Sequence, residues 1–212
     1  MSVITITRQY GAGGSLVAQR VAEALGWTVI DNEFVGEVAK RAGLPAETVA
    51  AREERSPSLL ERLARTLAVS APELFVPAAA TAGEPDEDAL LRITERVIAE
   101  ATAHGRVVLV GRGATGYLAT AGDAAHALHA YVVAPRDVRV RTIMERLAVG
   151  TEEAAKTVRS IDAARERYLE RFYGRRRDDA SNYHVVVNTA WLGYDGAAKV
   201  IADLAERRGL TM

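Results

Sequence analysis

Glycines and an arginine follow the first apolar stretch of the chain, and this combination is suited to binding phosphate. An apolar run at 3–7 predicts a buried strand, and the glycines behind it lead into a helix expected at 15–25. Glycines let backbone N–H groups converge, and the positive end of a helix dipole attracts anions. We therefore expect nucleotide phosphates to bind the following residues: Gly11, Ala12, Gly13, Gly14, Ser15 and Leu16.

This segment departs from the phosphate-loop pattern G-x-x-x-x-G-K-[ST] at two positions. Arg8 stands at the first glycine and Gly14 at the lysine, whereas Gly13 and Ser15 fit the pattern. The Ser15 hydroxyl can still approach a magnesium ion. The cation for the terminal phosphates must come from elsewhere, and Arg8 is the candidate because guanidinium binds phosphate oxygens in a bidentate fork. A plain strand-to-helix turn would explain the same glycines without a ligand.

A dinucleotide site is the competing interpretation of the same stretch. Asp31 follows a second apolar run at 28–30, about where a ribose-binding acid is expected. A G-x-G-x-x-G pattern that begins at Gly11 needs glycine where Leu16 stands, and this counts against NAD. For a kinase, Asp31 would instead face the phosphate acceptor. Helix capping is a further alternative, since Asp31 and Asn32 are both good caps.

Arginines recur where a phosphoryl group could be held, which matters because phosphoryl transfer depends on fixed positive charge. Arg112 lies between two glycines directly after an apolar run, and Arg139 lies one turn into a predicted helix. Asp162, Arg165 and Arg167 occupy a later charged helix, where ordinary i,i+3 pairs of a solvated surface are the alternative. Residues 136–177 hold twelve basic and seven acidic side chains, which favours an anion-binding lid.

Composition limits the functional classes. The chain has 212 residues, 49% of them apolar, enough for one sizeable core, and a net charge of −1 gives no general attraction to nucleic acid or membrane. Cysteine is absent, which excludes disulfides and thiolate chemistry. No apolar run approaches the roughly 20 residues that span a bilayer, and the N-terminus does not resemble a signal sequence. We expect a cytoplasmic protein without nucleic-acid or membrane partners; the oligomeric state is not indicated.

Apolar runs that alternate with helical patterns predict an α/β architecture with a parallel sheet. Strands are expected at 3–7, 28–30, 107–110, 130–133 and 185–187. Helices are expected near 15–25, 33–42, 46–52, 58–68, 87–103, 136–147, 151–172 and 195–208. A loop is expected at 69–88. We expect a single domain over 1–212 with an acceptor-binding insertion at 32–90 and a lid-like segment at 146–179.

Several segments together resemble the cytidylate kinase-like branch of P-loop nucleoside monophosphate kinases. They are Thr7-Arg8-Gln9-Tyr10-Gly11-Ala12-Gly13-Gly14, Ile30-Asp31-Asn32-Glu33, Val110-Gly111-Arg112-Gly113, and Ser181-Asn182-Tyr183 with Asn188-Thr189. The resemblance implies a three-layer α/β P-loop fold with five parallel strands and a helical lid. It also implies ATP with Mg²⁺ as phosphoryl donor and a nucleotide phosphate as acceptor.

The resemblance implies a role for individual residues. Ser15 matches a metal-side hydroxyl and Asp31 the acid at the end of the second strand. Arg112 and Arg139 resemble arginines on the acceptor side. The lid motif Asp-x-x-Arg corresponds to Asp162 and Arg165. Together with the cationic residues above, this gives catalytic Arg8, Arg165 and Arg167, substrate-binding Asp31, Arg112, Arg139 and Asp162, and metal-binding Ser15.

Three residues depart from the family pattern. Gly14 replaces the phosphate-loop lysine, Gly113 replaces an aspartate after the acceptor arginine, and Glu37 stands where an acceptor-binding arginine is expected. The first hypothesis is a Mg-ATP-dependent kinase that acts on a nucleoside monophosphate such as CMP, or on a related small phosphorylated acceptor. The alternative is a catalytically degenerate nucleotide-binding regulatory module.

Overall fold

A five-stranded sheet runs through the part of the chain that the computed structural model describes, residues 2–31, 87–111, 113–122 and 126–211. Its strands are β1 (Val3–Arg8), β2 (Thr28–Ile30), β3 (Val107–Val110), β4 (Ala127–Val133) and β5 (Val185–Asn188). Their spatial order is β2-β3-β1-β4-β5. Strand β1 pairs in parallel with β3 and β4, and β4 pairs in parallel with β5. The prediction of a five-stranded parallel sheet is confirmed.

Helices connect the strands. Those in the described ranges are α1 (Gly14–Leu25), α2 (Glu87–His104), α3 (Ala114–Thr120), α4 (Arg136–Leu147), α5 (Thr151–Tyr173) and α6 (Thr189–Arg207), with a short 3-10 helix at Ala180–Asn182. The helices predicted near 33–42, 46–52 and 58–68 fall outside the described residues, as does the predicted loop up to residue 86. None of the helices in the described ranges has the length and hydropathy to cross a membrane.

The chain divides into two compact units, Met1–Val29 with Gly105–Met212, and Ile30–His104. In the second unit, α2 buries Val97, Ile98 and Ala101, which have the spacing of one helix face. The predicted insertion at 32–90 lies almost wholly outside the described residues, so it stays a prediction, as does the single domain over 1–212.

The main core of the first unit lies on one face of the sheet. Ile4 and Ile6 of β1 pack in one apolar cluster with Val17 of α1 and Ile201 of α6. Side chains alternate across a strand, so Thr5 of β1 is buried on the opposite face. The sheet therefore has an apolar face toward α1 and α6 and a second face that carries polar side chains.

Candidate functional site

The turn between β1 and α1 has the backbone geometry of an anion-binding loop. Gly11 and Gly13 have φ angles of 82° and 76°, in the left-handed region that favours glycine. Helix α1 begins at Gly14, and its N-cap residue Gly13 offers no side chain to cap the first N–H groups. Ser15 and Leu16 are exposed in the first turn. These N–H groups are therefore suited to an anionic ligand.

Helices α6 and α4 pack closely against this turn. A Cβ atom at Gly13 would overlap Cε1 of the Tyr194 ring in α6. A Cβ atom at Gly11 would lie 2.8 Å from the carbonyl oxygen of Arg139 in α4, which is closer than real Cβ atoms approach. Packing as well as backbone conformation therefore requires glycine at these two positions.

The Arg8 side chain extends from the glycine turn at Gly14 to Gly111, the residue that follows β3. A Cβ atom at Gly14 would lie 2.5 Å from Cβ and 2.7 Å from Cγ of Arg8. A Cβ atom at Gly111 would meet Nη1 of the same arginine. The stem of Arg8 thus lies against the first residue of α1, and its guanidinium lies against the residue that follows β3.

Asp162 of α5 binds the turn and two arginines at once. The backbone N–H of Tyr10 donates to Oδ1 at 2.9 Å. Arg139 donates from Nη1 to Oδ2 at 2.5 Å, and Arg177 donates from Nη1 to Oδ1 at 2.8 Å. Arg139 also donates to the carbonyls of Ala134 and Tyr10, at 3.0 and 3.1 Å. Two predicted substrate-binding residues, Asp162 and Arg139, therefore lie together against the outside of the turn.

Hydrogen bonds outweigh the effect of burial on the charges of this cluster. Burial alone would raise the pKa of Asp162, but bonds from Arg177, from the Tyr10 N–H and from Arg139 hold that pKa below its ordinary value of 3.8. Burial alone would lower the pKa of Arg177, and its hydrogen bond to Asp162 raises it instead. Asp162 is consequently ionised at neutral pH.

Arg165 of α5 reaches the turn as well. It donates from Nη1 to the carbonyl oxygen of Arg8 at 3.1 Å, and its guanidinium lies 5.6 Å from the centre of the Tyr10 ring. Arg146 stacks on the same ring at 4.9 Å and donates to the Tyr10 hydroxyl. Burial lowers the pKa of Arg165. The structure thus places the predicted catalytic side chain of Arg165 against the backbone of Arg8, whereas Arg167 is exposed on the same helix.

The other two predicted substrate-binding residues are Asp31 and Arg112. Asp31 follows β2 and belongs to the second compact unit. Arg112 lies outside the described residues. Their roles toward an acceptor stay predictions.

Tyr173 accounts for the glycine at position 113, where the family pattern has an aspartate. A Cβ atom at Gly113 would overlap Cε2 of the Tyr173 ring, and one at Gly116 would lie 2.6 Å from its Cγ. The φ angle of Gly113 is 69°. An aspartate at position 113 would therefore collide with Tyr173, the last residue of α5.

Sequence reasoning missed several residues that build the site. Arg177, 7% exposed, holds Asp162 and donates its backbone N–H to Glu166 at 3.0 Å. It is the third of three consecutive arginines, and nothing in the sequence distinguishes it from Arg175 or Arg176. Tyr10 could have been noticed as an aromatic residue inside a glycine turn.

The donor set around the turn fits magnesium brought in with a nucleotide. In the described ranges, no group of three or more His, Cys, Asp or Glu side chains could hold a metal ion. Protein-bound Mg²⁺ commonly keeps water molecules and few protein ligands, and substrate phosphates supply others. An exposed hydroxyl at Ser15, beside N–H groups suited to phosphate, matches that pattern.

Comparison with known proteins gives consistent relatives. A sequence model of the cytidylate kinase-like family matches residues 3–190. A cytidylate kinase of Staphylothermus marinus is 28% identical over 180 residues, which are 84% of this chain and 96% of that protein. The crystal structure of an uncharacterized protein from Eubacterium ventriosum aligns with a TM-score of 0.66 at 20% identity, covering 97% of this chain and 99% of that one. The family match and the parallel sheet confirm the predicted kinase-like α/β fold.

Proposed function

This chain belongs to the cytidylate kinase-like family, and we propose that it catalyses Mg-ATP-dependent phosphoryl transfer to a nucleoside monophosphate of the CMP type or a related small phosphorylated acceptor. The observation that carries this proposal is the convergence of Arg8 and Arg165 on the glycine turn. Phosphoryl transfer depends on fixed positive charge over the migrating group. The Staphylothermus marinus relative, named a cytidylate kinase, supports CMP as the first acceptor to test.

The glycine turn has the groups that a donor nucleotide requires. The backbone N–H groups of Gly11, Gly13, Gly14 and Ser15 would cradle the donor phosphates, whereas the Ala12 N–H donates to the Gln9 carbonyl. The Ser15 hydroxyl would hold Mg²⁺. Bound Mg²⁺ neutralises charge on the β- and γ-phosphate oxygens. Arg8 binds the terminal phosphate through its guanidinium in this proposal, and Arg165 supplies charge from α5.

The acceptor side needs no general base, because a phosphate acceptor is already anionic. We assign Asp31 and Arg112 to acceptor binding on the family resemblance. Arg139 and Asp162 take a positioning role in the proposal, since Arg139 donates its hydrogen bonds to two carbonyls and to Asp162. They would fix the turn so that donor and acceptor phosphates meet in line.

A coupled ADP assay with CMP, dCMP, UMP, AMP and GMP tests the proposed function. We expect ADP formation with at least one pyrimidine monophosphate. Arg165→Ala should lower kcat by about 100-fold or more, the usual cost of losing one charge-stabilising donor. Arg159→Ala, on an exposed position of the same helix, should leave kcat unchanged. ADP formation no faster than ATP hydrolysis without an acceptor would contradict the proposal for these acceptors.

Gly14 at the lysine position favours a second candidate, a regulatory module that binds nucleotide without transferring phosphate. Calorimetry separates the two candidates. Mg-ATP binding with no transfer to any acceptor would favour the module. Turnover that depends on Arg165 would favour the kinase.

A further inference from the structure

Positions 8 and 14 face each other across the mouth of the phosphate turn. A Cβ atom at Gly14 would lie 2.5 Å from Cβ, 2.7 Å from Cγ and 3.4 Å from Cδ of Arg8. The backbone of β1 fixes the Cβ atom of Arg8, so rotation of the Arg8 side chain cannot relieve the shortest of these contacts. Positions 8 and 14 therefore cannot both carry a side chain in this backbone arrangement.

Backbone strain does not explain the glycine at position 14. Gly14 is the first residue of α1 and is absent from the positions with positive φ in the described chain. Glycine is otherwise unfavourable in a helix, because it loses more conformational freedom than alanine on folding. The reason for glycine at this position is the stem of Arg8.

A second glycine makes room for the other end of the same side chain. A Cβ atom at Gly111 would overlap Nη1 of Arg8 and lie 2.8 Å from Cζ. Gly111 follows β3, the strand next to β1 in the sheet. The two glycines thus mark the whole path of Arg8, with the stem at Gly14 and the guanidinium at Gly111.

We propose that Arg8 and Gly14 are an exchanged pair: the cation that a phosphate loop normally carries as lysine in the first turn of its helix is here carried by an arginine at the end of β1. Gly14 and Gly111 are positioning residues that provide the space for this arginine. The inference rests on the proposed function, and its ligand is the polyphosphate of a nucleoside triphosphate. Guanidinium can bind two phosphate oxygens in one plane, which an ammonium group cannot do.

The exchange can be reversed in one double variant. Arg8→Gly combined with Gly14→Lys restores the pattern G-x-x-x-x-G-K-S over residues 8–15. Mg-ATP affinity is measured by calorimetry for the wild type, both single variants and the double variant. We expect Arg8→Gly and Gly14→Lys each to weaken binding about tenfold or more, the first by loss of charge and the second by collision with Arg8. The double variant should bind within about threefold of the wild type.

Matched controls separate charge from space. The double variant Arg8→Gly with Gly14→Ala removes the contact between positions 8 and 14 but supplies no cation. It should bind Mg-ATP as weakly as Arg8→Gly alone. Gly14→Ala should lower the melting temperature of the wild type but not that of the Arg8→Gly variant. Gly150→Ala is the reference, because a Cβ atom at Gly150, the N-cap of α5, meets nothing within 4 Å. These melting measurements remain decisive if Gly14→Lys fails to fold.

Three results would overturn the inference in distinguishable ways. Gly14→Ala as harmless as Gly150→Ala would show that Arg8 does not require glycine at position 14. A double variant that binds Mg-ATP no better than Arg8→Gly, beside a wild type that binds, would refute the exchange and leave the proposed function standing. A wild type that binds no Mg-ATP would contradict the proposed function and, with it, the cationic role of Arg8.

Discussion

The two faces of the central sheet differ in how they are held together. On the apolar face, Ile4 and Ile6 of β1 pack with α1 and α6 and make no directional bonds. On the other face, Thr5 Oγ1 is hydrogen-bonded to His129 Nδ1 at 2.7 Å and to Thr115 Oγ1 at 2.9 Å, and Thr7 bonds the same Thr115 at 3.2 Å. Apolar side chains such as Val3, Val107 and Leu109 are buried on this second face as well, so it differs from the first by its added hydrogen bonds.

The polar face lies next to the charged cluster of the candidate site. Tyr131 of β4 stacks on Tyr183 with ring centres 4.9 Å apart. The Tyr183 hydroxyl donates to the carbonyl of Arg177, which binds Asp162. Buried polar groups are costly when they lose a partner, whereas apolar packing loses stability in proportion to what is removed. We therefore expect the polar face to respond to single changes and to pH, and the apolar face to respond mainly to volume.

The largest effect beside the polar face is expected for Asp162→Asn. The change removes the charge that balances Arg139 and Arg177, whose side chains are each 9% exposed. Breaking a buried ion pair in this way costs about 3–5 kcal/mol of the free energy of unfolding. Urea denaturation measures it.

Asp203→Asn is the matched control for that variant. Asp203 pairs with Lys199 at 2.9 Å on the surface, where the two side chains are 48% and 74% exposed. Such a pair contributes about 0–1 kcal/mol. Equal losses for the two variants would show that the Asp162 cluster is no more sensitive than an ordinary surface pair.

The next effect is a loss of stability in mild acid. Burial, with the charge of His184 next in importance, lowers the pKa of His129 from 6.5 to about 4. As the pH drops, the imidazole is therefore protonated in the unfolded chain before it is protonated in the folded one. The free energy of unfolding is thus unaffected by this group above pH 6.5 and falls as the pH drops toward 4. The shift corresponds to about 3 kcal/mol over the whole interval. Urea denaturation at several pH values measures the decline.

His129→Gln should flatten that pH dependence between 6.5 and 4. The pKa of Asp162 is lowered from 3.8, so this carboxylate begins to lose its contribution only below the interval. His184 has a pKa that burial lowers as well, and it adds in the same direction as His129. An unchanged acid profile in the variant would contradict the assignment to His129.

Much of the fold follows from the sequence, and the exceptions have local reasons. The predicted ranges 28–30, 107–110 and 136–147 coincide with β2, β3 and α4. Strand β4 begins three residues earlier than predicted, at Ala127, because the polar His129 finds a buried partner in Thr5 and so interrupts the apolar pattern without ending the strand.

Two helices show what tertiary packing adds. Helix α3 was not predicted, and its Gly116 is covered by the Tyr173 ring. Helix α6 begins at Thr189 rather than at 195, since the Asn188 side chain caps it by accepting from the Ala190 N–H. Gly193, with φ 67° and ψ 176°, interrupts this helix and made the later start the natural prediction.

The candidate site likewise contains residues that the sequence indicates and contacts that it does not. Spacing predicted a phosphate site at the glycine turn with Arg8 beside it, and the family resemblance added Asp162 and Arg165; these roles stay predictions. The partners of Asp162 could not be predicted, because Tyr10 is 152 residues away in the chain and Arg177 is one of three consecutive arginines. Local pattern shows which residues suit a chemistry, and only the fold shows which side chain they meet.

Neighbouring residues of β1 allow a direct comparison of the two faces. Thr5→Val keeps the shape of the side chain but leaves His129 and Thr115 without its hydroxyl, which costs about 1–3 kcal/mol. Ile6→Val removes one methylene group from the apolar cluster and costs about 0.5–1.5 kcal/mol. Urea denaturation at pH 7 and pH 5 measures both variants.

The pH dependence of the free energy of unfolding distinguishes these two variants more clearly than its value at one pH. Thr5→Val should change the acid profile, since it alters the surroundings of His129, whereas Ile6→Val should shift the free energy of unfolding equally at both pH values. If each variant lowered the free energy of unfolding equally at pH 7 and pH 5, the two faces would differ in composition but not in how their stability depends on pH.

The smallest effect is expected for Trp191→Ala. Trp191 lies near the start of α6 and is 85% exposed, although other residues of this helix supply the apolar face. An exposed side chain of this kind changes the free energy of unfolding by no more than about 0.5 kcal/mol. Trp27→Ala is the contrast, because Trp27 is 9% exposed within the apolar cluster and its loss should cost about 3–5 kcal/mol. A loss above about 1 kcal/mol for Trp191→Ala would show that the apolar side of the molecule extends to the start of α6, and that burial fails as the guide to which aromatic residues stabilise it.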